Sequence, residues 1–138
     1  MLVTRAGDQL RSRPMKPFFE RRRETILFLT SSDADKIGEI KACPEANIVF
    51  SSARDGIWVS LAGKIRLSNH AQAIDAFWTE EFDAWVGERA RAIALVFTPE
   101  SAEYWDCSEK RIAASWDMLE SMANCGRPDP GENQKVAL

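Results

Sequence analysis

Histidine is almost missing from this 138-residue chain, with His70 the sole example, and that scarcity narrows the possible chemistry. His70 stands at the start of a helical pattern without a cysteine nearby, and no Ser-His-Asp or Cys-His set forms around it. Cys43, Cys107 and Cys125 are odd in number and make no C-x-x-C or Cys/His spacing, so they read as free thiols and no metal site is expected. Long apolar runs are missing too. The longest, Ala92 to Phe97, is far short of the ~18 residues of a membrane span. The first fifteen residues set Arg5, Arg11 and Arg13 among polar residues with no apolar stretch of a secretory leader, which points to the cytoplasm. Neither sign of charge dominates. Eighteen basic and 21 acidic side chains leave a net charge of -3, which gives no general pull toward nucleic acid.

What is present suits one domain over residues 1–138, with 45% of residues hydrophobic and a length at which roughly two-thirds of the unfolded surface can be buried. Met1 to Arg5 is a strand that the polar break Ala6-Gly7-Asp8-Gln9 can turn into Leu10 to Phe19, a second arm that Pro14 and Pro17 confine to an edge or bend. Thr25 to Thr30 reads as a strand covered on both faces. Ser31-Ser32-Asp33 offers cap oxygens to a short helix bearing Ile37 and Ile40, which Pro44 stops. Asn47 to Ser52 and Ile57 to Leu67 are strands joined through Arg54-Asp55-Gly56, the second with Ile57, Val59, Leu61, Gly63, Ile65 and Leu67 on one face. Ser68 and Asn69 open a helix carrying Ile74, Phe77, Trp78, Phe82 and Trp85 on one side.

Arg91 to Thr98 is a buried strand ended by Pro99, and Ser101 to Asp106 is extended, with Glu100, Glu103 and Asp106 reading as an exposed edge. Ile112, Trp116, Leu119 and Ala123 mark a last helix that Gly126 can cap, and residues 126–138 form a mostly extended tail. The fold class expected is mainly β (α+β): six antiparallel strands in a closed barrel with flanking helices, because tight turns between neighbouring strands do not suit a parallel sheet.

Two clusters can hold an anion. Arg11 and Arg13 fall on the same side of an extended segment, roughly 6.6 Å apart, so two guanidinium forks can reach one phosphate. Thr30, Ser31 and Ser32 supply hydroxyls at a strand end just before a helix, with Lys36 about one turn in. The Arg21-Arg22-Arg23 run is flanked by Glu20 and Glu24 and reads as a solvated turn.

Taken together, LRSRPM (10–15), FLTSSDADKIGEI (28–40), NIVFSSARDGIWVSLAGKIRL (47–67), VFTPESAEYWD (96–106) and the tail GENQKVAL (131–138) resemble the general stress protein branch of the pyridoxamine-phosphate-oxidase-like, FMN-binding split barrels. The resemblance implies a split barrel that forms a homodimer, with two FMN sites in clefts between the subunits. It places Arg13-Pro14-Met15 on the strand along the flavin ring, with Arg11 just before it. Thr30 and Ser31 match the hydroxyl-bearing strand end near the phosphate, Lys36 matches the phosphate lysine, and Trp105 matches the aromatic that approaches the flavin from the partner subunit. Asp35-Lys36 stands where the oxidases proper carry Arg-Lys, and their C-terminal substrate residues have no counterpart, so pyridoxamine phosphate is not the expected substrate. The chain also opens directly in its first strand, where family members usually begin with a helix, as a truncation or a misassigned start would produce. An FMN-dependent oxidoreductase of unknown substrate, with no catalytic residue identifiable, is the expectation. A non-catalytic FMN-holding protein and a dimeric interaction module with a decayed cofactor site are the alternatives.

Overall fold

Turn chemistry fixes the first hairpin: β1 (Leu2–Ala6) reverses at Gly7, whose φ of +62° a side chain would resist, and returns as β2 (Gln9–Arg13). In the computed structural model, which describes residues 1–106 and 132–137, Pro14 and Pro17 end that arm, and the chain resumes as β3 (Phe18–Glu20) and β4 (Thr25–Ser31). The helix α1 (Asp35–Ala42) leads to β5 (Glu45–Ser52), and a turn at Gly56 leads to β6 (Ile57–Ser68). Two short helices, α2 (Ala71–Phe77) and α3 (Glu80–Trp85), precede the long β7 (Ala92–Asp106). The strand β8 (Glu132–Ala137) completes the described chain, and the helix expected over Cys107 to Asn124 lies outside the described residues.

The fold is mainly β and antiparallel, consistent with a split barrel, and it corrects the sequence reading in several places. Among the described residues there are eight strands where six were expected, in the order β2-β1-β5-β6-β7-β4-β3, with β8 also on β7. That path does not return on itself, so the sheet is not closed. It nevertheless wraps one core: Leu2, Phe28, Ile48, Ile65, Leu95 and Phe97 come from five strands and meet Ile37 and Ile40 of α1.

Pro99 does not end a strand. It pairs with Gly63 while Ser101 pairs with Ala62, so Glu100 is the extra residue of a bulge, where a missing N–H is tolerated. Beyond the bulge, β8 covers the edge, and Glu103 is half-buried against Lys135 at 3.5 Å rather than on an exposed rim. The single helix expected after Asn69 is broken by extended backbone at Trp78 and Thr79. The break lets Ile74 and Phe82 both join Leu29, Val86, Ala92 and Ala94 in a second core on the sheet's outer face. The hydroxyls before α1 do not cap it: its N-cap is Ala34, and the Ser31 Oγ accepts from the Asp33 N–H instead.

A Cβ at Gly63 would lie 2.2 Å from the Thr98 carbonyl oxygen and 2.9 Å from the Pro99 Cα, both backbone atoms that cannot step aside cheaply. Gly63→Ala is expected to destabilise the protein by about 1–3 kcal/mol, the usual cost of overpacking. Urea unfolding of the variant checks this, and an unchanged midpoint would show that the bulge has slack.

Candidate functional site

The hairpin register sets Thr4 of β1 directly opposite Arg11 of β2, with Arg13 two residues further along the same face. Beneath them runs α1, whose Glu39 is buried with its side chain 8% exposed. A carboxylate so placed needs charge-assisted partners, and it has three donors. The Thr4 hydroxyl donates to Oε2 at 2.6 Å, Arg13 Nη2 donates to Oε1 at 2.6 Å, and Arg11 Nη1 donates to the same oxygen at 3.3 Å. The Thr4 oxygen in turn accepts from Arg13 Nη1 at 2.7 Å, so one hydroxyl joins the guanidinium to the carboxylate. Arg13, through its hydrogen bond, does most to hold the Glu39 carboxyl below the usual carboxylate range, against the effect of burial.

Lys36 lies one turn earlier on α1 and donates from Nζ to the Thr30 hydroxyl at 3.0 Å, Thr30 itself being buried at the end of β4. Burial first, and the neighbouring charge of Arg13 second, push the Lys36 ammonium below its ordinary value, despite the opposing carboxylates of Glu39 and Asp35. Three cations, Arg11, Arg13 and Lys36, therefore gather around two carboxylates, Glu39 and Asp35. The local excess of positive charge suits an anion.

Beside this cluster opens a cleft of about 390 Å³. One wall is Pro14, Met15 and Lys16, the floor is Leu29 and Thr30 with Lys36, and the far wall is Phe82 and Val86 at the end of α3. Its volume is in the range of ordinary small-molecule sites, and its combination of apolar walls with a cationic end suits a ligand with an apolar body and an anionic tail. Lys16 Nζ stands 5.8 Å from the centre of the Phe82 ring, within cation–π range.

Of the residues singled out from sequence, Pro14, Met15, Thr30 and Lys36 line this cleft. Arg11 and Arg13 sit behind its cationic end and are engaged by Glu39. Ser31, the last residue of β4, is half-buried and outside the lining. Trp105 is remote: it pairs with Trp58 at the opposite end of β7 from the strand's contact with Thr30. Sequence reasoning missed Glu39, Thr4, Phe82 and Val86 as parts of the site. The signal for Glu39 was present, since it follows the inward-facing Lys36 by three residues, next to Ile40, and so belongs to a helix face turned inward.

The description "pyridoxamine 5'-phosphate oxidase like" belongs to a family model that matches residues 1–129. No curated protein matches the chain. Among solved structures, a candidate general stress protein 26 from Jannaschia sp. CCS1 is 26% identical with a TM-score of 0.68, over all of this chain and 88% of that one. A Clostridium acetobutylicum protein related to general stress protein 26 of Bacillus subtilis, of the pyridoxinephosphate oxidase family, superposes with a TM-score of 0.71 at 13% identity, over all of this chain and 84% of that one. The general stress FMN/FAD-binding protein of Xanthomonas citri gives 0.65 at 23% identity, over 77% of this chain and 78% of that one. The last two likenesses are of fold.

The Glu39 network makes stability depend on pH in a definite sense. The folded pKa lies below the ordinary 4.5, so the contribution is complete above that value and is lost as the pH falls through the folded pKa. Glu39→Gln is expected to cost about 2–3 kcal/mol at pH 7, the worth of hydrogen bonds to a charged group. Unfolding measured from pH 7 down to pH 3 should show the two proteins converging in acid, and a constant difference would contradict the assignment.

Proposed function

We propose that this chain, which belongs to the pyridoxamine 5'-phosphate oxidase-like family, binds FMN in the cleft between Met15 and Phe82 and serves as a flavin-dependent oxidoreductase of the general stress type. The observation that carries the reading is the coincidence of an apolar slot with the half-buried, charge-crowded ammonium of Lys36 at its end. A phosphate there relieves the repulsion between Lys36 and Arg13. In this assignment Lys36 and Thr30 receive the phosphate directly, with Ser31 next to Thr30 at the strand end and Arg11 and Arg13 behind them. Pro14 and Met15 lie along the ring, while Leu29, Phe82 and Val86 exclude water from it. When bound, FMN supplies redox chemistry that no side chain of the cleft offers. Glu39 holds the Arg13 fork in place and keeps the site from being excessively cationic.

The lining includes no carboxylate, histidine or cysteine among the described residues, and that favours a second reading: a protein that holds FMN without turning over a substrate. Both readings share the phosphate site. Lys36→Ala is expected to weaken FMN binding roughly tenfold to a hundredfold, the effect of losing one charge-assisted contact. Flavin fluorescence titration measures this, and equal affinities would remove Lys36 from the site.

A homodimer completes the proposal, because Trp105 is too far along β7 to serve the cleft of its own chain. Ile57 and Trp58 beside it are 36% and 37% exposed, and aromatic side chains left partly uncovered are typical of interfaces. An obligate interface buries more than about 2,000 Å², and two-fold symmetry would present Trp105 of each copy to its partner. Light scattering at low micromolar concentration is expected to give twice the chain mass. A folded monomer that binds FMN would defeat the shared-site arrangement.

A further inference from the structure

A second cavity, of about 450 Å³, lies on the outer face of the sheet beside α2 and is separate from the FMN cleft in every lining residue. Its floor is a cross-strand row: Leu27 of β4 pairs with Val96 of β7, which pairs with Arg66 of β6. Phe77 of α2 walls one side. The guanidinium of Arg66 thus rises from a row whose other two members are apolar, and Arg23 and His70 stand at the rim. None of these three side chains forms an ion pair or hydrogen bond with another described residue. Glu20 is the one carboxylate in the lining, and its Oε1 accepts from the Arg22 backbone N–H at 3.3 Å.

Thr25, also in the lining, adds an independent sign: its Oγ1 is buried and has no hydrogen-bond partner, the only such side-chain atom among the described residues. A buried hydroxyl without a partner is costly, which favours a ligand that brings a polar group into the cavity this residue lines. Solvated arginines alone would not mark a site. An apolar floor, partnerless cations above it and an orphaned hydroxyl in its wall together do.

We propose that this cavity is a second ligand site, for a small apolar carboxylate whose body rests on Leu27, Val96 and Phe77 and whose charge is met by Arg66 and Arg23. Arg23 and Arg66 outnumber the single carboxylate of Glu20, which suits an anion, and a guanidinium fork takes a carboxylate in bidentate fashion. Inorganic phosphate lacks the apolar body and is expected not to compete.

The probe is 2-naphthoate, titrated into isotope-labelled full-length protein while backbone amide resonances are followed. Saturable shifts centred on Leu27, Arg66 and Val96 are expected, with Arg66→Gln weakening binding about tenfold, the worth of a charge-assisted contact. Lys36→Ala, which alters only the FMN cleft, is expected to leave naphthoate affinity unchanged. Thr25→Val should weaken binding severalfold while raising the thermal midpoint, because it removes the orphaned hydroxyl. Absence of saturable shifts, shifts centred on Met15, Thr30 and Lys36 instead, or equal affinity in Arg66→Gln would overturn the proposal.

Discussion

Glu39 lies beneath the β1–β2 hairpin with its carboxylate almost out of water, and that placement is stable only because Thr4, Arg13 and Arg11 all donate to it. Removing any one donor leaves a buried charge short of a partner, which costs more than the pair gains in forming. The network therefore locks an edge hairpin to a helix. Once α1 is held against β1, Ile37 and Ile40 enter the core, and Lys36 is set at the end of β4 beside Thr30. The cationic end of the cleft follows from one carboxylate on the next turn of the same helix.

The long strand β7 organises the rest. Its residues 92–97 pair with β4 and its residues 101–106 with β8, while β6 runs along its other edge from Ala94 to Asp106. The bulge at Glu100 separates these halves, and Gly63 is what allows the two backbones to approach there. One half supports the outer core beneath α2 and α3, which delivers Phe82 and Val86 to the cleft. The other half carries Trp105 away from it. A single strand thus separates the cleft from the surface on which a second copy is proposed to dock.

Much of this was legible in the sequence, for identifiable reasons. Period-two alternation from Ile57 to Leu67 and the glycine turns at Gly7 and Gly56 depend on local geometry, and they located β1, β5 and β6 to within a few residues and the start of β2, whose arm was expected to run on to Phe19 but ends at Arg13. Pro14, Met15, Thr30 and Lys36 carried family blocks and meet at one cleft. What failed to show depends on contacts distant in sequence. The strand continues through Pro99 only because β6 offers a glycine opposite it, and the helix breaks at Trp78 because the outer core needs both Ile74 and Phe82. Arg11 and Arg13 do lie on one side and do reach one anion, but that anion is Glu39, a partner 26 or more residues away.

The central claim is that the cleft holds a flavin through its phosphate. The most direct measurement is to purify the full chain under native conditions, record its absorption, denature it and identify what is released. The account predicts a yellow protein that gives up FMN, near one per chain. A colourless protein that takes up no FMN when the cofactor is added in excess would contradict it.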